Sequence, residues 1–149
     1  MGHFFKTKKS VGIGLFLFAF ALVFSLNLSA TAQECKGPNR RLTVTDIKGE
    51  ITSLTCGYIG SETQSLLYSF TESRSEVNIE IDKVRRITPL RDPGGKVIAP
   101  YSSSLFAIVE LKNGDSRRLR VITFGKIGGY SSWGRQTFDF DKVETIEFE

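Results

Sequence analysis

The chain has 149 residues, of which 40% are hydrophobic and 24% are charged, and its formal net charge at pH 7 is +4. Three lysines and no acidic residue lie within residues 1–32, so the rest of the chain is nearly neutral, which excludes a strongly basic nucleic-acid-binding domain. The only histidine is His3 in the same segment, so the rest of the chain has no imidazole for Ser-His catalysis, Cys-His catalysis or a His-ligated metal site.

Residues 1–32 have the three parts of a secretory signal peptide. A positive stretch at 6–9 leads into an apolar stretch at 11–28, and the sequence ATA at 30–32 supplies the small residues of a cleavage site. We therefore expect cleavage before Gln33, export to the periplasm or the extracellular space, and no stable membrane insertion afterwards. The alternative is an uncleaved anchor, since the apolar stretch is at the lower length limit for crossing a bilayer.

Cys35 and Cys56 are the only two cysteines, and both follow the predicted signal peptide. An oxidising compartment makes a disulfide the expected fate of such a pair. The bond would fasten the N-terminal arm to the domain and contribute about 3 kcal/mol in the chain-entropy model. The alternative is a pair of free, buried thiols.

Alternating apolar and polar residues predict β-strands in the chain beyond the N-terminal arm at 33–41. The alternation, or an apolar run rich in β-forming residues, occurs at 42–47, 51–54, 77–82, 105–111 and 138–141. Asn113-Gly114 follows the fourth of these segments and is a strong signal for a hairpin turn. No stretch of this part of the chain sustains a helical period for three turns, so the predicted fold class is all-β.

The second half of the chain repeats the pattern of the first half. Three segments match in the same order: 46–50 with 110–115, with one residue added in the second turn; 55–60 with 123–128, which share T-x-G-x-I-G; and 79–87 with 138–146, which share a bend at Asp-Lys-Val. We therefore predict a first β unit at 42–90, a connecting loop at 91–104 and a second β unit at 105–149, within one domain at 42–149.

Neither unit is long enough to bury a core of its own. We expect about eight short antiparallel strands, from two similar units that share one core, arranged as a sandwich or a small barrel. The predicted core residues are Val77, Ile79, Ile81, Val84, Ile87, Phe106, Ile108, Leu119, Val121, Phe138, Phe140, Val143, Ile146 and Phe148.

The strand–bend–strand segments read VNIEIDKVRRI at 77–87 and TFDFDKVETIEF at 137–148. This pattern resembles the I-x-L-x-K-I-x-x-I-x-F ending that recurs in small, largely uncharacterised exported bacterial β domains. The resemblance covers these two segments only. It implies an all-β exported domain and transfers no functional residues.

Two pairs of carboxylates, Glu80 with Asp82 and Asp139 with Asp141, lie two residues apart on predicted strand faces. Such pairs can bind Ca²⁺ or act as acid and base in hydrolysis. No loop with Asp or Asn at alternate positions surrounds them, so we interpret both pairs as the solvated faces of two equivalent strands. A carboxylate-dependent hydrolase is the alternative.

The basic clusters are Arg85-Arg86 and Arg117-Arg118-x-Arg120. On a strand, Arg118 and Arg120 share a face and Arg117 points the other way, so the second cluster forms no long basic stripe. We interpret both clusters as surface charge that protects edge strands, with a patch for an anionic ligand as the alternative.

Residues 128–136 form a Gly/Ser-rich segment that holds Tyr130, Arg135 and Trp133, the only tryptophan. Exposed aromatic side chains beside Arg suit a sugar ring or a peptide, so these three are the candidate ligand-binding residues. The alternative is a loop whose Trp133 folds back over the end of the core.

Together these patterns predict an exported, non-catalytic β domain that acts as a binding or structural module in the cell envelope or outside the cell. We expect a protein or an envelope glycan as its partner, and no cofactor, metal or nucleic acid. One alternative is a glycan-binding module that uses the aromatic loop, and the other is the hydrolase.

Overall fold

The computed structural model describes residues 34–123 and 126–149. The predicted signal peptide, its cleavage before Gln33, and residues 124–125 of the second T-x-G-x-I-G segment lie outside the described residues. Within the described ranges, no helix is long and apolar enough to cross a membrane.

The described part of the chain is all-β, as predicted. Its strands are β1 (Leu42–Asp46), β2 (Ile51–Ile59), β3 (Leu66–Phe70), β4 (Glu76–Glu80), β5 (Val84–Pro89), β6 (Ser104–Leu111), β7 (Ser116–Ile122), β8 (Lys126–Ser131), β9 (Gly134–Asp139) and β10 (Val143–Phe148). The predicted bends at Asp-Lys-Val begin in single turns of 3₁₀ helix, Ile81–Lys83 and Phe140–Lys142.

Ten strands replace the predicted count of about eight because β3 and β8 were not anticipated. In β3, the inward positions are Leu67 and the polar Ser69, while the outward face carries apolar side chains. In β8, Gly128 and Gly129 occupy the middle of the strand. Neither segment has the apolar-inward, polar-outward alternation that identifies a strand in the sequence.

The ten strands form one antiparallel sheet in the order β4-β3-β7-β6-β5-β10-β1-β2-β8-β9. We name β1–β5 the first repeat and β6–β10 the second repeat. Exchanging the two repeats turns this order into its own reverse, so the repeats are related by a pseudo-twofold arrangement. In the described residues, β4 and β9 are the two edge strands, so the sheet is not closed into a barrel. Of the two predicted arrangements, the fold is therefore the sandwich-like one.

The first matched pair of segments is confirmed as structurally equivalent, but the two turns have the same length. Asp46 N–H donates to Glu50 O, and Leu111 N–H donates to Asp115 O, so each turn has three residues between the bonded pair and the residue added in the prediction is absent. Gly49 and Gly114 occupy equivalent places with φ of +83° and +95°, a conformation that favours glycine.

The T-x-G-x-I-G match is wrong as a structural equivalence. Ile59 lies at the end of β2, the second strand of its repeat, whereas Ile127 lies in β8, the third strand of its repeat, and the two residues pair with each other. The equivalent of Ile127 is Leu67 in β3, because Leu67 pairs with Ile79 in β4 as Ile127 pairs with Phe138 in β9.

One face of the sheet supplies a single hydrophobic core. Because buried residues from both repeats form one cluster, the sheet curves around a shared interior. The cluster comprises Leu42, Val44, Leu54, Ile59, Leu67, Ile81, Val84, Ile87, Leu105, Ala107, Val109, Leu119, Val121, Ile127, Phe140, Val143, Ile146 and Phe148.

The predicted core was wrong at Phe106 and Ile108. β6 presents residues 105, 107 and 109 to the core, and the intervening residues lie on the outer face. Both faces of β6 are apolar, so its inward face could not be chosen from the alternation. Val77, Ile79 and Phe138 are half-buried, because they lie on the two edge strands, where each strand has a single neighbour.

Cys35 and Cys56 form the predicted disulfide. Cys56 lies within a bulge of β2, between Thr55 and Tyr58, where the pairing of β2 with β8 shifts register. The bond fastens the N-terminal arm to the second strand. The described part of the molecule is therefore a small, disulfide-bonded β domain.

Candidate functional site

The hairpin of β8 and β9 presents Trp133 to solvent. Ser131 pairs with Gly134, which leaves Ser132 and Trp133 in a two-residue turn. The Trp133 N–H donates to Ser131 Oγ at 3.1 Å, so the turn is held by a side chain of its own hairpin. The Trp133 residue is 90% exposed, so it does not fold back over the core, and that alternative is wrong.

Tyr130 and Arg135 lie directly opposite each other on β8 and β9, so their side chains share one face of the hairpin. Arg135 Nη2 donates to Glu62 Oε1 at 2.8 Å and lies 3.4 Å from the Tyr58 hydroxyl. The hydrogen bond with Tyr58 and the negative charge of Glu62 raise the pKa of Arg135 above its ordinary value. The guanidinium is therefore always charged and is held in place.

The two glycines of β8 explain why Tyr58 can lie beside this hairpin. Tyr58 in β2 pairs with Gly128, and a Cβ built at Gly128 would lie 2.4 Å from the Tyr58 hydroxyl oxygen. At Gly129 a Cβ would lie 2.8 Å from the carbonyl oxygen of Thr55. Side chains at these positions would push β2 and β8 apart, so glycine allows the Tyr58 ring to lie buried across β8.

A shallow polar cleft adjoins the hairpin. Its lining includes Lys36 from the N-terminal arm, Tyr58 and Glu62 from β2 and the loop after it, and Arg135 from β9. The disulfide of Cys35 places Lys36 at this position, because it fastens the arm to β2. Charged groups of both signs and a tyrosine hydroxyl thus lie beside the hairpin.

We name Tyr58, Glu62, Tyr130, Trp133 and Arg135 the hairpin site. The three predicted residues belong to one hairpin, with Tyr130 and Arg135 side by side and Trp133 at its tip. Tyr58 and Glu62 were not predicted, because the contacts that bring them to Arg135 join residues more than seventy positions apart. The adjacent glycines Gly128 and Gly129, just before Tyr130, are the one feature of the sequence that indicates a side chain packed closely against this strand.

The two carboxylate pairs do not converge. Glu80 ends β4 and Asp139 ends β9, and these strands are the opposite edges of the sheet. Asp82 and Asp141 lie in the 3₁₀ turns, so the predicted shared strand faces are wrong. Asp82 instead accepts a hydrogen bond from Arg40. In the ranges that the structure describes, no three His, Cys, Asp or Glu residues gather in a group that could hold a metal ion.

The arginine cluster of β7 lies on both faces of its strand, as predicted. The interpretation that both arginine clusters protect edge strands is wrong, because β5 and β7 each have a neighbouring strand on both sides. The Arg118 guanidinium lies 5.2 Å from the centre of the Phe106 ring, and Nε is 3.3 Å from Glu72. The Arg120 guanidinium lies 4.8 Å from the centre of the Phe70 ring. These contacts cover apolar side chains on the outer face, which explains how β6 can be apolar on both sides.

In the other basic cluster, Arg86 is neutralised by acidic neighbours. Arg86 Nε donates to Glu147 Oε1 at 2.8 Å, and this hydrogen bond, together with the charge of Glu147, raises the pKa of Arg86. Glu110 lies 3.8 Å from the same guanidinium. Arg86 therefore contributes little net positive charge for an external anion.

Neither the comparison with protein-family models nor the comparison with curated protein sequences finds a match to this chain.

Proposed function

We propose that this protein is an exported, non-catalytic binding module that contacts its partner through the hairpin site. The observation that carries the proposal is the Trp133 side chain, which is almost fully exposed at the tip of a hairpin. Leaving an indole in water forgoes a large gain in hydrophobic free energy, and such residues dominate binding when a partner covers them.

Several features support the export part of this proposal. A disulfide in a small β domain is typical of oxidising compartments, and the leader has charged, apolar and small-residue parts in the order of a signal peptide. The resemblance of the strand–bend–strand segments to exported bacterial β domains also supports export.

The non-catalytic part rests on the arrangement of polar groups. The candidate carboxylates lie at opposite edges of the sheet, and the chain beyond residue 32 has no histidine to activate a nucleophile. No observation favours the hydrolase.

A glycan of the cell envelope is the second candidate partner. It is favoured by the fixed guanidinium of Arg135, on the hairpin that carries Trp133, and by the carboxylate of Glu62, which accepts a hydrogen bond from it. An aromatic face that binds the apolar side of a sugar ring, with charged groups that hydrogen-bond its hydroxyls, is a suitable combination. The same surface would accept a polar protein segment.

Intrinsic fluorescence tests the proposal directly, because Trp133 is the only tryptophan of the chain. Purified protein is titrated with envelope extract from the source cells, with extract digested by protease, and with extract whose glycans have been degraded. A binding partner that covers Trp133 is expected to shift its emission to shorter wavelength. Loss of the shift after one digestion identifies the partner as protein or glycan.

The matched variants are Trp133→Ala and Tyr101→Ala, because Tyr101 is another exposed aromatic residue, outside the hairpin site. In a retention assay on immobilised protein, we expect Trp133→Ala to lose binding by about tenfold or more at unchanged melting temperature, and Tyr101→Ala to bind normally. Equal retention by Trp133→Ala and wild type, or no emission shift with any extract, would contradict the proposed function.

A further inference from the structure

The two repeats differ in charge at an inward-facing position that lies just before β1 in the first repeat and within β6 in the second. Leu42 pairs with Leu54 in the first repeat, and Ala107 pairs with Leu119 in the second, at the same distance from the equivalent turns. Arg40 and Leu105, two residues earlier on the inward face, are therefore equivalent. The residue that faces the interior is cationic in one repeat and apolar in the other.

In the first repeat, the Arg40 guanidinium occupies this position. Arg40 is 8% exposed, its Nε donates to Asp82 Oδ1 at 2.7 Å, and its Nη1 donates to the carbonyl oxygen of Gln64 at 2.8 Å. Asp82 lies in the 3₁₀ turn that follows β4. The fold thus holds a guanidinium between this turn and the loop that follows β2.

In the second repeat, the equivalent carboxylate is Asp141, in the 3₁₀ turn that follows β9. Leu105 is too short and too apolar to reach it as Arg40 reaches Asp82. A cleft of about 520 Å³ opens here, and its lining includes Asp139, Asp141, Thr123 and Ser104. Within 34–123 and 126–149, neither Asp139 nor Asp141 forms an ion pair.

Ser104 is a second, independent feature of the cleft. The residue is 3% exposed, and its Oγ has no hydrogen-bond partner among the described residues. An unsatisfied buried hydroxyl is costly and uncommon, and it marks a place where another polar group completes the structure. A guanidinium has five N–H donors, enough for a carboxylate and a hydroxyl together.

We propose that this cleft binds a guanidinium group, namely the arginine side chain of a partner polypeptide. Asp141 would accept a hydrogen bond from this guanidinium, as Asp82 does from Arg40. The first repeat carries its guanidinium within the chain, and the second repeat receives one from outside. The cleft contains no residue of the hairpin site, so this binding is independent of Trp133.

Two cationic side chains, Arg91 and Lys96, lie near the cleft and affect how strongly it can bind another cation. Arg91 makes three hydrogen bonds, from Nη1 to the carbonyl oxygen of Gly95 and from Nη2 to those of Asp141 and Val143, so its guanidinium is held against the main chain. Lys96 lines the cleft and forms no ion pair in the described part of the chain. Its charge opposes that of an incoming guanidinium, so Lys96→Met is expected to strengthen binding of the probe.

The test is an NMR titration of the ¹⁵N-labelled, disulfide-bonded protein with N-acetyl-arginine amide. The neutral isostere N-acetyl-citrulline amide and the compact cation N-acetyl-lysine amide are the comparison probes. We expect shifts centred on residues 102–105 and 139–142 with the arginine probe, and at least about tenfold weaker binding of the other two. Equal binding of the citrulline or the lysine probe would overturn the proposal, as would shifts centred elsewhere.

Three variants complete the test. Asp141→Asn is expected to weaken arginine binding about tenfold, whereas the matched control Asp82→Asn leaves it unchanged. Ser104→Ala is expected to weaken it a few-fold without lowering the melting temperature, because the hydroxyl has no hydrogen-bond partner among the described residues. Wild-type affinity in Asp141→Asn would show that the cleft is not the site. Each of the three variants is checked for folding by the same spectra.

Discussion

Ile87 in β5 and Ile146 in β10 lie directly opposite each other where the two repeats meet. They are also equivalent residues, each three positions after the buried valine that follows a 3₁₀ turn. A residue that pairs with its own equivalent lies on the pseudo-twofold axis of the sheet. Both are fully buried, so the axis passes through the core.

The symmetry predicts matched costs for Ile87→Ala and Ile146→Ala. Each change removes buried methyl groups at the same kind of site, so each is expected to lower the free energy of unfolding by about 2–5 kcal/mol. Urea denaturation of the two variants and of the double variant measures this. Because the residues are in contact, the double variant should depart from additivity. A cost for one variant several times that of the other would contradict the symmetric environment.

Gly128→Ala is expected to destabilise the protein by about 1–3 kcal/mol, because its Cβ would overlap the Tyr58 hydroxyl and displace the ring. The displaced ring would also lose its contact with Arg135. Thermal denaturation measures the effect, and Gly94→Ala is the control, since its Cβ would approach only the flexible side chain of Asp92. Adding Tyr58→Ala should make the Gly128→Ala change less costly, and a fully additive double variant would argue against the overlap.

Asp82→Asn and Asp141→Asn should differ although the two residues are equivalent. Asp82 neutralises the buried Arg40, so its loss is expected to cost about 1.5 kcal/mol. Asp141 has no ion-pair partner among the described residues, so its loss should change the stability little. Chemical denaturation of both variants in parallel gives the comparison. Equal stability of the two would mean that the Arg40–Asp82 contact contributes nothing.

Replacing both cysteines by serine is expected to cost about 3 kcal/mol, because the bond restricts the unfolded chain between residues 35 and 56. Alkylation of native protein without reductant should leave both thiols unmodified, and reduction should lower the melting temperature. Ready labelling of Cys35 and Cys56 in freshly purified protein would contradict the bond.

Export predicts a mature protein that begins at Gln33. N-terminal sequencing or intact mass of the exported protein should find Gln33 or its cyclised form. Recovery of chain beginning at Met1 from purified membranes would instead support an uncleaved anchor.

Local patterns in the sequence determined the fold class, the disulfide and the repeated ends of the two halves. Alternation over residues 77–82 and 138–141 predicts strands because the side chains of a strand alternate between two faces. The Asp-Lys-Val bend recurs because both repeats need the same turn into a central strand. The disulfide was predictable from the number of cysteines and the expected oxidising compartment.

Tertiary structure alone decided the inward face of β6, the presence of β3 and β8, and the composition of the hairpin site. Phe106 lies outward, where Arg118 covers its ring, and this contact depends on the pairing of β6 with β7. Tyr58 reaches Arg135 because β2 pairs with a strand of the other repeat. Periodicity reports which residues of one strand share a face, whereas these contacts depend on which distant strands become neighbours.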